Sequence, residues 1–551
     1  MDNEQQKKVK AFLARRHPEY EMMLPHWEFM KACYDGGRSW FEGNIFKYIK
    51  EGETEYADRV NRAYRFNHTR EVVDLVDKYL FKMEVHRNLD DAPEYLKRFW
   101  SNASRNRLTI DDLMKQVSKR CSIYGRTWMV VDTNNSGQAL TVADEKKLGI
   151  RVFAYNVTPE HVPNMSYDDE QILNWILIHE QIRDDEDPME SSGEEVHRFR
   201  LWTRNDWTLF TLRSNGKKTS KNLSSKELAS AIVKAFKGDA LKISRIAIKE
   251  PEVLDLEGYD IEVVGPNEHK LGVVPVFACD NVISDEPYSS TAMIDDVAYL
   301  DRAIANYLSN LDAIIQDQTY SQLTMPAQGL LPGEEGYDAI VNMGTKRIFT
   351  YDAQGGGKPE YISPDAAQAE IVLKVINKII NEIYHSVGLA GERTKQDNAL
   401  GIDNSSGVAK AYDFERVNSL LASKADSLEL IENNLVRLVA LWNGEVLPDE
   451  TRMVEYPGDF DVRGLYDEFE IALNLSKISA PDSVRRKQME QVIDKLFPQL
   501  GKDLKEKMMK ELEEWPPELP DPSIDGSGVD TNDVDTSASD NSAQPAGSTA
   551  E

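Results

Sequence analysis

The chain has 551 residues, of which 41% are hydrophobic and 9% aromatic, and it carries a formal net charge of −29. This length exceeds what one hydrophobic core usually supports, so two to four domains are expected. No stretch reaches the roughly 18 uncharged apolar residues that a membrane-spanning helix needs, and residues 1–16 are too polar and charged for a signal peptide.

The acidic charge is spread over the chain. Residues 516–551 hold eight acidic side chains and no lysine or arginine, so most of the net charge of −29 lies in the preceding residues. Tight binding to phosphate depends on Lys and Arg side chains that release counterions. The composition therefore argues against a protein that grips DNA tightly. It fits either a solubilising surface or one that repels a polyanion.

The three cysteines, Cys33, Cys121 and Cys279, are odd in number and far apart in the sequence. This spacing fits neither a disulfide framework nor a zinc site. We expect three buried thiols in a reducing cytoplasm.

Residues 1–120 are predicted to be mainly helical. In residues 64–83, apolar side chains recur at spacings of three and four, which is typical of one buried helix face. Thr69 is a candidate N-cap for this helix. The apolar positions are Val72, Val73, Val76, Tyr79, Leu80 and Met83.

Residues 122–285 are predicted to form an antiparallel sheet packed on helices. Trp175, Leu177 and His179 share one alternation, and the turn signals Asn215-Gly216 and Gly265-Pro266 separate strands. A helix at 225–236 interrupts the pattern. Strands are expected at 126–132, 171–182, 196–203, 207–212, 261–264 and 273–278.

Two helices with largely heptad apolar stripes flank a turn-rich module at 321–362. The first is expected over 289–320, capped by Ser289 or Ser290, and the second over 363–387, opened by Ser363-Pro364 and ended by Gly388. The pattern predicts either an antiparallel hairpin of long helices or an ordinary helical core. The stripes are Val297, Ile304, Leu308, Leu311 and Ile315, and then Val372, Ile376, Ile379, Ile383 and Val387.

The C-terminal third begins with a polar, Gly-rich loop at 388–406, followed by a long helix at about 407–443. The stripe of this helix is Leu428, Ile431, Leu435, Leu438 and Trp442. A strand-like piece is expected at 453–462 and helices at 466–479 and 481–515. Residues 516–551 are too polar to bury a core and are predicted to be disordered.

A search for catalytic chemistry finds no active site. No Gly-Lys-Ser/Thr phosphate loop is present, and the pair His179-Glu180 lacks the second histidine of a zinc-protease motif. Acidic clusters at 184–187, 295–296 and Asp459/Asp461 fit solvated surfaces. The last pair could also hold Mg²⁺ in a metal-dependent nuclease, which is the alternative enzymatic hypothesis. No cofactor is predicted.

The order of elements resembles that of the tailed-phage portal proteins, the head-to-tail connectors, over about residues 10–515. Residues 67–74 and 79–81 resemble the family's early wing helix. The point at which the wing passes from helix to strand is resembled by residues 122–126 (Ser-Ile-Tyr-Gly-Arg), followed by a strand that ends in Asp132. Residues 271–276 resemble the strand before the first stem helix. Residues 388–391 and 406–409 resemble the passage from the second stem helix through the tunnel loop to the long helix.

This resemblance implies an α+β, predominantly helical, ring-forming fold without enzymatic activity. The crown is short, and the acidic tail matches no motif of the family. The implied regions are the wing at 1–288, the first stem helix at 289–320, the clip at 321–362, the second stem helix at 363–387, the tunnel loop at 388–406, the long wing helix and strand at 407–465, the crown at 466–515 and the disordered acidic tail at 516–551.

The resemblance also implies partners and a location. The ring of about twelve copies would sit at one capsid vertex of the virion after assembly in the host cytoplasm. It would conduct double-stranded DNA during packaging and ejection, and contact the terminase large subunit, the head–tail adaptor, and the major capsid and scaffold proteins, with no membrane partner. A different virion component, such as a scaffold or adaptor, is the second alternative.

The residues expected to line the channel lie on the second stem helix and the tunnel loop. Basic groups there could guide DNA, or could form salt bridges between subunits. The candidates are Lys374, Lys378, Arg393, Lys395, Gln396 and Asn398.

Overall fold

The computed structural model divides the chain into two units, Met1–Asp461 and Val462–Glu551. The first unit combines helices with antiparallel sheets, which confirms the predicted α+β class. The residues that the structure describes are 3–134, 150–185, 187–189, 191–214, 256, 259–319, 322–326, 349–351, 360–362, 366–389, 407–448, 451–458, 460, 484, 486–487, 489–490 and 502–513.

Seven helices precede the sheets, as the apolar spacing of residues 1–120 predicts. The buried faces of α2 to α7 pack into one large core, which also receives the sheet at β2 and the later long helices. Leu13 of α1 packs instead in a smaller cluster on the five-stranded sheet. Strand β1 (His86–Arg87) lies among these helices. The helices are α1 (Asn3–Ala14), α2 (Pro18–Asp35), α3 (Arg38–Asn44), α4 (Glu53–Arg62), α5 (His68–Leu80), α6 (Glu94–Ser101) and α7 (Ile110–Tyr124).

Helix α5 buries most of the predicted face but has a different cap, and Met83, which was expected on that face, lies beyond the helix end and is 42% exposed. Val72, Val73 and Val76 are completely buried. The N-cap is Asn67, whose side-chain oxygen accepts from the Arg70 amide at 2.9 Å. The expectation that Thr69 caps the helix is wrong, because Thr69 lies inside the first turn and its hydroxyl donates to a buried carboxylate on another helix.

Replacing Asn67 with alanine is expected to lower the free energy of unfolding of the first unit by about 1–2 kcal/mol, because it removes the cap. It also removes the bond from the Asn67 amide to the Tyr34 carbonyl on α2, at 3.1 Å. Asn67→Asp keeps the capping oxygen and should lose less than half as much. Urea titration of both variants measures this difference, and equal losses would mean that the cap contributes little.

Two antiparallel sheets follow. The three-stranded sheet has the order β3–β2–β9, and the five-stranded sheet runs β4–β5–β6–β7–β8. The six predicted strands are present, whereas β3 and β4 were not predicted. The strands are β2 (Arg126–Thr133), β3 (Val152–Val157), β4 (Asn164–Tyr167), β5 (Leu173–Arg183), β6 (Glu195–Thr203), β7 (Asp206–Ser214), β8 (Tyr259–Glu268) and β9 (Val276–Asp280).

The predicted turn at Gly265-Pro266 is instead part of strand β8. This strand continues to Glu268 and pairs with β7 across a shift in register between Trp207 and Leu209. Gly265 has a φ of +114°, and a Cβ there would lie 2.9 Å from the Trp207 carbonyl oxygen. The Gly-Pro pair therefore marks an irregular step within a strand, which the turn signal alone could not distinguish from a strand end.

The first of the two striped helices begins later than expected. Helix α8 spans Asp295–Thr319, so neither Ser289 nor Ser290 caps it. The Ser290 hydroxyl donates to the Val282 carbonyl at 3.0 Å instead. The Ser290 carbonyl oxygen would lie 1.8 Å from a Cβ at Gly125. The segment before α8 therefore packs closely against the end of α7.

Helix α8 packs against α9 (Ala366–Ser386), and a small sheet lies between them in the chain. Its central strand β10 (Gln322–Pro326) pairs in parallel with β11 (Phe349–Tyr351) and antiparallel with β12 (Glu360–Ile362). Strand β10 follows α8 directly, strand β12 precedes α9 directly, and these two strands are antiparallel neighbours. The two helices therefore have the connectivity of the predicted hairpin.

The long helix α10 spans Gly407–Trp442, as predicted, and its apolar stripe is buried at Leu428, Ile431 and Leu435. The strand-like piece after it is β13 (Val454–Glu455), which pairs with β1. All three cysteines are buried free thiols, as expected. Within the described ranges, no helix is long and apolar enough to cross a membrane.

In the second unit the structure describes one longer helix, α11 (Lys502–Glu513). It falls inside the helix predicted at 481–515. Several other predictions lie outside the described residues: the turn Asn215-Gly216, the helices at 225–236 and 466–479, the Ser363-Pro364 start, most of the loop at 388–406, and the tail at 516–551.

Candidate functional site: a helical pair and its base

Helix α9 has one buried face, and it also leaves two large apolar side chains exposed. Ile376, Ile380 and Ile383 are buried, as the predicted stripe requires. Ile371 is 60% exposed and Leu373 is 46% exposed, and these two side chains lie on different sides of the helix because they are two residues apart. Clusters of exposed large apolar side chains commonly mark contact surfaces.

Helix α8 also carries exposed apolar side chains. Tyr299 is 45% exposed, Tyr307 is 37% exposed and Ile315 is 47% exposed, although Ile315 was expected in the buried stripe. Among the described residues, the helical pair α8–α9 therefore leaves five large apolar side chains accessible to solvent, three on α8 and two on α9.

Two predicted channel residues lie on the exposed face of α9. Lys374 and Lys378 are both exposed and one helical turn apart. The Lys374 ammonium lies 4.0 Å from the Glu370 carboxylate, which is a weak surface pair. Both ammonium groups are thus accessible to a partner.

The other predicted channel residues, Arg393, Lys395, Gln396 and Asn398, lie outside the described residues, as do Asp459 and Asp461. Among the acidic clusters that are described, Asp295 is bound to His26 at 2.9 Å and Asp184 to Ser192 at 2.8 Å. In the part of the chain that the structure describes, no group of three His, Cys, Asp or Glu side chains could hold a metal ion.

The base of α8 is joined to the helical body through a buried carboxylate. Asp301 is completely buried and accepts from the Thr69 hydroxyl at 2.8 Å and from the Thr69 amide at 3.3 Å. The Arg65 guanidinium lies 3.7 Å away. Burial raises the pKa of the Asp301 carboxyl, and the charge of Arg65 opposes that rise.

The base of α9 meets the same group of residues. The Tyr384 hydroxyl lies 3.5 Å from Nδ1 of His68, the first residue of α5. His68 is itself buried and lies 3.4 Å from the Glu71 carboxylate. Both helices of the pair are therefore joined to the start of α5 by polar contacts in the core.

Sequence reasoning missed Asp301, although its position carries a signal. The stripe of α8 runs through Val297, Ile304 and Leu308, and Asp301 stands at the spacing between the first two. A charged residue at a stripe position must be paired when it is buried. The sequence could have marked this residue as part of a buried polar contact, but not its partner.

Helix α10 is joined to the same body by a buried lysine. The Lys424 ammonium donates to the Ser122 hydroxyl and to the Asn281 side-chain oxygen, both at 2.7 Å. Burial lowers the pKa of Lys424, and the charge of Asp77 acts in the opposite direction. This contact brings together α10, the end of α7 and the residue after β9.

The segment Ser122-Ile123-Tyr124-Gly125-Arg126 lies at this junction. Gly125 ends α7 with a φ of +79°. The Arg126 guanidinium forms two bonds to the Asp280 carboxylate on β9, at 2.5 and 2.8 Å. The motif is therefore a structural corner at which α7, β2 and β9 meet.

The sequence was also compared with known proteins. A family model described as "Phage portal protein, SPP1 Gp6-like" matches residues 18–457. No curated protein matches the chain. The matched range includes helices α2 to α10 and strands β1 to β13, whereas α1 precedes it.

Proposed function

This chain belongs to the SPP1 Gp6-like family of phage portal proteins, and from that membership we propose that it forms a closed ring at one capsid vertex. Proteins of this family are structural components of the virion and are not generally enzymatic, and they assemble into oligomeric rings. In our proposal the ring contains about twelve copies and conducts double-stranded DNA into and out of the capsid.

The observation that carries this proposal is the exposed apolar surface of the helical pair. Ile371 and Leu373 on α9, and Tyr307 and Ile315 on α8, are all more than a third exposed. In a ring each copy has a neighbour on either side, so head-to-tail contacts between helical pairs can cover side chains on different sides of the pair. Such heterologous contacts close into a ring when the rotation between copies permits it.

The proposal assigns roles to the regions along the chain. Helices α8 and α9 are the stem, and the small sheet of β10, β11 and β12 belongs to the clip, which docks the terminase large subunit and then the head–tail adaptor. The wing comprises residues 1–288 with 407–465. The crown comprises 466–515, and 516–551 is an acidic tail. The major capsid and scaffold proteins would surround the ring.

Charge supports a conduit rather than a clamp. The chain carries a net charge of −29, and each lysine–phosphate contact would add affinity and slow a moving duplex. We propose that Lys374 and Lys378, with Arg393, Lys395, Gln396 and Asn398 of the tunnel loop, give brief contacts that guide DNA. We further propose that the chain has no catalytic turnover and that ATP is hydrolysed by a partner.

Native mass spectrometry of the full chain at micromolar concentration tests ring formation. The wild type should give one closed oligomer, whatever its subunit number. Ile371→Gln with Leu373→Gln should shift the chain toward monomers, because about 2–3 kcal/mol of apolar burial is lost at each contact.

Leu89→Gln with Val446→Gln is the matched control, since these side chains are 56% and 79% exposed but lie outside the helical pair. A wild type that remains monomeric would rule out the ring. A ring that persists in the Ile371 and Leu373 variant would rule out the helical pair as its contact.

A further inference from the structure

The loop between α6 and α7, with the start of β3, presents a cluster of three arginines in an otherwise acidic chain. Arg105 and Arg107 are exposed on residues 102–108, and Arg151 lies beneath them, just before β3. Among the described residues, no carboxylate lies within 4.0 Å of these three guanidinium groups. By contrast, Arg98 and Arg204 pair with Glu94 and Asp168.

This arginine loop, residues 102–108 with Arg151, is held in one conformation by hydrogen bonds. The Arg151 guanidinium donates to the carbonyls of Asn102, Ser104 and Arg105 at 3.0, 2.8 and 2.8 Å. The Arg107 amide donates to the Ser104 carbonyl at 3.0 Å. Arg151 is therefore the centre around which the loop folds.

The loop is also fastened to the sheet. The Ala154 amide on β3 donates to the Ala103 carbonyl at 2.8 Å, and the Ala103 amide donates to the Leu108 carbonyl at 2.8 Å. Arg107 has a φ of +63°, in the left-handed region that non-glycine residues rarely occupy. The two exposed arginines thus stand on a backbone that is already ordered before any partner binds.

Within the described part of the chain, no carboxylate forms an ion pair with the positive charges of the loop. Burial and the charge of Arg107 lower the pKa of Arg151. The Arg105 guanidinium lies over the Tyr155 ring, 4.4 Å from its centroid. The nearby acid Asp132 is buried and already bound to Arg200 at 2.8 Å. An anion bound at this loop would relieve the repulsion between neighbouring guanidinium groups.

We propose that the arginine loop is a binding site for the phosphate backbone of double-stranded DNA, separate from the helical pair. Guanidinium groups form paired hydrogen bonds with phosphate oxygens. A stiff polyanion with regularly spaced charges loses little conformational freedom on a rigid loop, whereas a flexible acidic peptide must be ordered first. The inference rests on the proposed function, since DNA is the cargo proposed for the ring.

The test measures binding of a fluorescein-labelled 30-base-pair duplex to the assembled full chain by anisotropy over a salt series. Arg105→Gln with Arg107→Gln should weaken binding about tenfold at low salt and make the slope of log K against log salt shallower by about 2, one unit for each lost phosphate contact. Lys7→Gln with Lys8→Gln on α1 removes the same charge from another exposed surface and should leave binding unchanged.

Arg107→Gly separates charge from loop structure, because glycine suits the left-handed backbone that Arg107 adopts. Arg107→Gly should change the salt slope by about half as much as the double variant does, whereas Arg107→Lys should keep a slope close to that of the wild type. Unchanged DNA binding in the Arg105 and Arg107 variant overturns the inference even when the ring is intact. Binding of polyglutamate at the loop with no binding of DNA also overturns it, and a failure to form the ring would instead count against the proposed function.

Discussion

Replacing Glu432 with alanine is expected to lower the free energy of unfolding of the first unit by about 3–5 kcal/mol, because it leaves a buried cation without its main partner. Glu432 is completely buried on α10. The Arg87 guanidinium on β1 donates to its two carboxylate oxygens at 2.6 and 3.2 Å. The Tyr456 hydroxyl donates to the same carboxylate at 2.8 Å.

The charges around Glu432 show why a single truncation should have so large an effect. Burial alone would lower the pKa of Arg87, but the hydrogen bonds that it donates to Glu432 raise the pKa overall. Burial, followed by the charge of Glu432, raises the pKa of Tyr456 well above its usual value. After the truncation, Arg87 keeps only the more exposed Asp111 carboxylate, at 2.8 Å.

Urea unfolding at fixed protomer concentration measures the loss, because ring assembly would otherwise contribute to the apparent stability. Glu94→Ala is the matched control. Its carboxylate is 3.6 Å from Arg98, both side chains are mostly exposed, and the expected change is below about 0.5 kcal/mol. A Glu432→Ala variant as stable as this control would show that the buried pair contributes nothing net.

The periodic parts of the fold were predictable because local sequence determines them. The stripe at Val72, Val73 and Val76 predicted α5, and the stripe from Leu428 to Leu435 predicted α10. Errors arose where a long-range contact overrode a local preference. Thr69 has the chemistry of a cap, but it lies inside the helix, where it binds Asp301, a residue 232 positions away.

The buried polar residues illustrate what the sequence can and cannot predict about the site. Asp301, Lys424 and Glu432 all stand on the apolar stripes of their helices, so their burial could have been inferred from spacing alone. Their partners could not, since Arg87 is 345 positions from Glu432 and Ser122 is 302 positions from Lys424. The arginine loop was missed because its three guanidinium groups come together only when β3 is placed beside residues 102–108.

The stability of the first unit is expected to fall by roughly 3 kcal/mol between pH 7 and pH 4 through one histidine pair. His179 on β5 and His197 on β6 lie with Nε2 and Nδ1 3.1 Å apart, and the ring of His179 stacks on Phe199 at 4.4 Å. Burial, and then the charge of His197, lowers the pKa of His179 from 6.5 to about 3. The pKa of His197 is lowered as well, by burial.

Because the pKa of His179 is depressed in the folded state, its contribution to stability is complete above the unfolded pKa near 6.5 and is lost as the pH falls toward about 3. In that window the unfolded chain binds a proton that the folded chain excludes.

His179→Phe keeps the stacking on Phe199 but cannot take up the proton, so its stability should fall much less between pH 7 and pH 4. Urea unfolding of the wild type and the variant at both pH values measures this difference. His86→Phe, at an exposed position on β1, is the control and should follow the wild type. Parallel losses of stability in the wild type and in His179→Phe would show that the histidine pair does not cause the acid sensitivity.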